Sequence, residues 1–179
     1  MTTAIPAIEA AKFYPEVPKL FRENQMLEME GYEGVIYRVH PRATTADVER
    51  ALHFLGSKAK VSAEAAETLN HVLDGVEYPK ADVLLELKGA NVDLPGAVAL
   101  LHFFRPAYPL YRVESVRALA DMGFTVQWRT DLSEDGIGAY EGYIAAIDLL
   151  KRQIPFAYVP ETNVFLSRLI EAALHRRGL

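Results

Sequence analysis

Cysteine is absent from the chain. That excludes disulfides, thiolate zinc sites, cysteine-held iron–sulfur clusters and a cysteine nucleophile. Long apolar runs are also missing: none in the sequence approaches the ~18 residues that a membrane-spanning helix needs, so no membrane partner is expected. The opening MTTAIPAIEAAKFYPEVPK has no basic segment followed by an apolar stretch. No secretory signal is read there, and a cytoplasmic location is expected. There is no HExxH, GxGxxG, GxxxxGK or GxSxG. The five histidines, His40, His53, His71, His102 and His175, lack the spacing of metal ligands, so no metal and no cofactor is implied. Ser115, Ser133 and Ser167 have no histidine close by in sequence. The formal net charge is −5, a sign that repels nucleic acid in bulk. Any DNA binding would need a local basic or amide-lined surface.

What the chain does have is helical punctuation. Its 179 residues, 50% hydrophobic and 24% charged, suit a single globular domain spanning 1–179, in one or two lobes. From Thr44 onward, cap residues, apolar positions at a period near 3.6 and Gly or Pro stops recur. They predict an all-α protein with helices near 45–55, 62–74, 79–88, 95–105, 113–122, 139–153 and 161–177. Pro79 suits the first turn of the third of these, which runs through Val83, Leu84 and Leu87. The first forty residues, rich in Pro, Tyr and Phe, read as one short helix around Ile8 to Phe13 and otherwise coil or turns. Glu33 to His40 is the only strand-like stretch and is too isolated to make a sheet. Asp131 to Gly138, rich in Asp and Gly, reads as a linker whose Glu134 and Asp135 are solvated. The closing His175, Arg176 and Arg177 are read as cations stabilising a helix C-terminus through its dipole.

The informative stretch is residues 84–119, LLELKGANVDLPGAVALLHFFRPAYPLYRVESVRAL, within a motif spanning about 79–119. A helix closes in Leu87-Lys88-Gly89, a short turn follows, and a second helix of small and apolar residues, Ala97 to Phe104, comes next. That order is a helix-hairpin-helix. A glycine turn of this kind leaves backbone N–H groups at a helix start exposed, and they can hold a phosphate without side-chain charge. On this reading a β-branched residue at Gly89 would clash in the turn.

The stretch resembles the helix-hairpin-helix-GPD superfamily of DNA glycosylases, which includes endonuclease III. Leu87-Lys88-Gly89-Ala90 is similar to the start of the family hairpin. Ala97, Ala99, Leu101, His102, Phe103 and Pro106 are similar to its second helix, Tyr108-Pro109-Leu110-Tyr111 to the segment before the catalytic aspartate, and Val116, Arg117, Ala118 and Leu119 to the helix after it. Tyr140, Tyr143 and the final helix resemble the family's closing helices. The resemblance implies a two-lobed all-α fold and a DNA-binding protein of base-excision-repair type. A damaged base would be flipped out of the duplex and an aspartate would help expel it. It implies DNA contact at Lys88, Gly89, Ala90 and Asn91, and at Arg112.

Departures from the family pattern bear on catalysis. Asn91 stands where a second hairpin glycine is usual, and Asn tolerates left-handed backbone. The turn is about two residues longer, with Leu94-Pro95-Gly96 inserted. Val92 and Asp93 occupy the region where strand-cutting members carry a lysine. The aspartate position aligns with Arg112. Glu114 is the nearest carboxylate and the candidate catalytic acid. It is offset by two residues, a rotation of about 200° on a helix. The expectation is therefore a DNA-binding, glycosylase-like protein with reduced or lost base excision. The alternatives are a non-catalytic helical module that binds DNA structure, a nucleotide or a protein, and a helical interaction module unconnected with DNA.

Overall fold

Thr44 shows how closely the helix starts follow local chemistry. Its hydroxyl accepts from Asp47 N at 3.3 Å while the Asp47 carboxylate accepts from Thr44 N at 3.0 Å, a reciprocal capping box. The structure is a computed structural model that describes residues 7–28, 32, 35, 42–56, 61–75, 81–162 and 164–179. Among the described residues every regular element is helical and no strand occurs. The strand-like stretch Glu33 to His40 lies outside the described residues apart from Val35, which is helical and buried. Pro79 also lies outside them.

The chain forms two compact units: Glu28–Leu110 with Arg129–Gly138, and Met1–Leu27 with Tyr111–Trp128 and Ala139–Leu179. They are called here the middle and terminal units. Within the middle unit, α3 (Thr45–Phe54) buries Val48, Ala51 and Leu52 and stops before Gly56, whose φ of +79° suits a residue without a Cβ. In α4 (Ala63–Gly75), Ala65, Leu69 and Val72 face inward, and the Ser62 hydroxyl accepts from Ala65 N at 3.3 Å. The next element, η2 (Ala81–Ala90), is a 3-10 helix and not the α-helix expected. Its buried residues are Ala81, Leu84, Leu87 and Ala90, spaced by three, which is the 3-10 repeat. In α5 (Leu94–Phe104), every residue from Leu94 to Phe103 is buried. Gly96 packs closely there: a Cβ would lie 2.9 Å from Asp93 Oδ1 and 3.2 Å from Leu52 Cδ2, so both side chains would have to shift. Tyr32, Phe54 and Phe103 pack ring against ring beside α5, with centroids 5.3–5.9 Å apart.

The terminal unit holds α1 (Ala7–Phe13), the 3-10 turn η1 (Tyr14–Glu16), α2 (Val17–Glu28, to Leu27), α6 (Val113–Asp121), most of α7 (Glu134–Gln153), the 3-10 turn η3 (Phe156–Tyr158) and α8 (Leu166–Gly178). Residues 14–28 are thus helical where coil was expected. Pro15 and Pro18 sit in first turns, where a missing N–H costs nothing, so they start helices and do not break them. The expected linker 131–138 is a second correction, because α7 begins at Glu134. Ser133 Oγ accepts from Gly136 N at 3.1 Å, and Ile137 N donates to Ser133 O. Gly136 marks close backbone approach, not flexibility: a Cβ there would lie 2.0 Å from Asp131 O. The last helix starts at Leu166, later than the expected 161. Tyr140, Tyr143, Ile147 and Leu150 are the buried face of α7. Helices α6 and α8 pack together so closely that a Cβ on Gly178 would fall 2.0 Å from Glu114 O.

Candidate functional site

The turn expected to be a hairpin lies in the middle unit, between η2 and α5. Asn91 makes the turn with φ of +53°, and its N–H donates to Lys88 O at 3.2 Å. Lys88, Gly89 and Asn91 are exposed and Ala90 is buried. Gly89 is not the turn residue. It lies within the 3-10 helix, and a Cβ there would meet Thr68 Oγ1 at 3.6 Å, an ordinary contact. A methyl group at Gly89 therefore meets no clash.

The amides at the start of α5 are already in use. Leu94 N donates to Thr130 O at 2.9 Å, Pro95 has no N–H, and Gly96 N donates to the Asp93 carboxylate at 2.9 Å. Asp93 is the N-cap, so an anion of the protein itself sits on the positive end of the helix. The exposed helix-start donors expected at this turn are therefore largely spoken for.

Arg112 lies in the terminal unit, in extended conformation at the N-cap of α6, with no side-chain cap hydrogen bond. Its side chain is only 10% exposed, and Nε donates to Glu171 Oε1 at 2.8 Å. Arg168 pairs with the other oxygen of the same carboxylate, and Ser115 Oγ donates to Oε1 at 3.3 Å. One carboxylate thus ties α6 to α8. Burial by itself pushes the Glu171 carboxyl upward, but the charges of Arg112 and Arg168 and the Arg112 hydrogen bond outweigh it, lowering the carboxyl to about 2. Glu171 is ionised throughout the neutral range. Beside it, burial and then the Glu171 charge push the Tyr143 hydroxyl well above its ordinary value, so it stays a neutral phenol. Tyr111, Tyr140 and Tyr143 form a ring cluster, with Tyr111 5.3 and 5.2 Å from the other two. Arg112 is therefore buried in an ion pair and not presented at the surface.

Glu114 is on the first turn of α6, partly exposed, and its Oε2 lies 3.7 Å from His175 Nε2. The other ring nitrogen of His175 meets Asn24 Oδ1 at 2.9 Å. Arg176 pairs with Glu23 at 3.1 Å and Arg177 with Glu16 at 3.0 Å. The closing cations thus bind carboxylates on α2 and η1 in addition to facing a helix end. His102 is an internal fastener of the middle unit: Nδ1 lies 2.5 Å from Tyr108 O and Nε2 lies 2.9 Å from the Tyr32 hydroxyl. Glu134 and Asp135 are exposed, as expected of solvated residues. Among the described residues no group of three His, Asp or Glu could hold a metal ion. No described helix is long and apolar enough to cross a membrane.

The hairpin residues Lys88, Gly89, Ala90 and Asn91 fall together on one turn, whereas Arg112 and Glu114 belong to the other unit. Sequence reasoning missed Glu171 and Arg168. The signal was a charged pair three residues apart inside the apolar stripe of the last helix, both members of which turn out to be buried. No protein-family model matches the chain, and neither a curated protein nor a solved structure matches it.

Proposed function

We propose that this chain is a non-catalytic helical binding module of the helix-hairpin-helix-GPD type, in which base excision has been lost. The observation that carries the reading is Arg112, which the resemblance sets at the catalytic aspartate position and which Glu171 holds in a buried ion pair. Base expulsion needs a carboxylate that offsets positive charge building on the sugar. A guanidinium does not deprotonate in proteins and has the wrong sign. Losing one such electrostatic contribution costs on the order of 10²–10³ in rate. Glu114 is the remaining carboxylate nearby, and it faces His175.

The charge of the middle unit and its engaged amides count against DNA as the partner. The sequence segments of the middle unit carry fifteen carboxylates against nine lysines and arginines. The α5 amides are engaged, and the Asp93 charge at that helix start repels a phosphate. The test uses duplexes carrying uracil, alkylated, oxidised and abasic sites. The native chain and a Glu114→Gln variant are both expected to release no base. Robust release by the native protein, lost in Glu114→Gln, would show that catalysis is retained and that Glu114 is its acid. Salt-sensitive DNA binding weakened by Lys88→Glu would return the hairpin to DNA while leaving the loss of catalysis standing.

A further inference from the structure

Between α7 and α8 the chain runs Arg152-Gln-Ile-Pro-Phe-Ala-Tyr-Val-Pro-Glu161, an apolar segment with a cation at one end and an anion at the other. Its centre faces water, while Ile154, Tyr158, Val159 and Pro160 are half-buried. Phe156 is 90% exposed, and Pro155 and Ala157 are exposed beside it. Water-facing apolar residues occur singly on any surface, but an uninterrupted run around an aromatic tip marks a contact surface. The flanking charges are unspent. Lys151 pairs with Asp148, whereas Arg152 and Glu161, both exposed, form no ion pair among the described residues.

The order of these groups selects the partner. Arg152 stands four residues before Phe156, and Glu161 stands four after Ala157. A two-fold axis near the Phe156–Ala157 peptide reverses the order of the segment, setting the cationic end of one copy toward the anionic end of the other. The apolar centre then meets itself. A surface that a two-fold operation maps onto its own complement is what an isologous dimer requires. We propose that residues 152–161 form a homodimer contact, with Phe156 at its centre and two Arg152–Glu161 pairs at its rim. This is independent of whether the hairpin binds a partner.

Sedimentation of the full chain over a concentration series tests it. A monomer–dimer equilibrium is expected that weakens with added salt, because the rim pairs are exposed. Phe156→Asp is expected to weaken the dimer at least about 30-fold, as loss of a central aromatic anchor does. Arg152→Glu and Glu161→Arg are each expected to weaken it about 10-fold or more, because each sets like charges against one another at both ends. All three positions are exposed, so the variants should keep the native helical spectrum. The deciding measurement is an equimolar mixture of Arg152→Glu with Glu161→Arg, in which opposite charges meet again and dimer mass should return. A native chain that stays monomeric throughout, a dimer indifferent to Phe156→Asp, or a mixture that stays as weak as its components would each overturn the proposal.

Discussion

Helices α5 and α6 begin with side chains of opposite charge, and the fold satisfies them in opposite ways. At α5 the N-cap is Asp93, whose carboxylate accepts from Gly96 N three residues on. The anion matches the helix dipole, and the solution is entirely local. At α6 the N-cap is Arg112, with no side-chain cap and a charge of the wrong sign for that end of a helix. Its partner, Glu171, is 59 residues away in sequence. A local cap can stay at the surface, where each partner keeps some water. A cation at a helix start that is also buried has no such recourse and needs a carboxylate brought by another element. The Asp93 cap is therefore modest in energy and tolerant of change, while the Arg112 ion pair is demanding.

The largest effect should come from removing the distant partner. Glu171→Gln leaves two guanidiniums, of Arg112 and Arg168, buried without their shared carboxylate. It is expected to cost about 3–5 kcal/mol, read as a lower denaturation midpoint or failure to fold. A loss below about 1 kcal/mol would mean that the buried cluster is no more demanding than an ordinary cap.

Acid should reproduce part of that effect. The Glu171 carboxyl is depressed from 4.5 to about 2 in the folded chain. A depressed carboxyl contributes stability that is complete above its unfolded value and lost as pH falls through its folded value. The contribution, of order 3 kcal/mol, should therefore hold above about pH 4.5 and decline from there to about pH 2. Urea titrations across that window measure it. A Glu171→Gln variant as steep as the native protein would assign the acid sensitivity to other carboxylates.

The smallest effects should lie at the hairpin. Asp93→Ala removes one cap and is expected to cost about 1 kcal/mol. Gly89→Ala, placed in a helix with room for a methyl group, should be neutral or stabilising by up to about 1 kcal/mol. A larger loss at Gly89 than at Asp93 would restore the glycine turn as the critical feature of the hairpin.

Much of the fold is legible in the residues because caps and stops act over a few positions. The Thr44–Asp47 box and the Gly56 stop are written within the segments they govern. What is misread shares a cause. In η2 the apolar residues fall at every third position, but Val83, Leu84 and Leu87 alone also satisfy a 3.6 period, and Ala81 and Ala90 were needed to separate the two. Pro15, Pro18 and Gly136 lie in stretches read as coil and as linker, because their types are common in loops. Each is in fact accommodated by its place in a first turn or by close backbone approach. For the candidate site, the hairpin residues could be listed from sequence, but the occupancy of their neighbouring amides could not, since Thr130 lies far along the chain from Leu94.

The all-α character was determined by the sequence itself, because periodicity and caps are properties of neighbours along the chain. The absence of thiol chemistry was determined in the same way, because it needs no geometry. Where Arg112 points was decided only by tertiary structure. Nothing within one helical turn of Arg112 carries a carboxylate except Glu114, and Glu114 faces His175 instead. A buried guanidinium goes to whichever carboxylate the packing delivers, and the packing of α8 against α6 delivers Glu171.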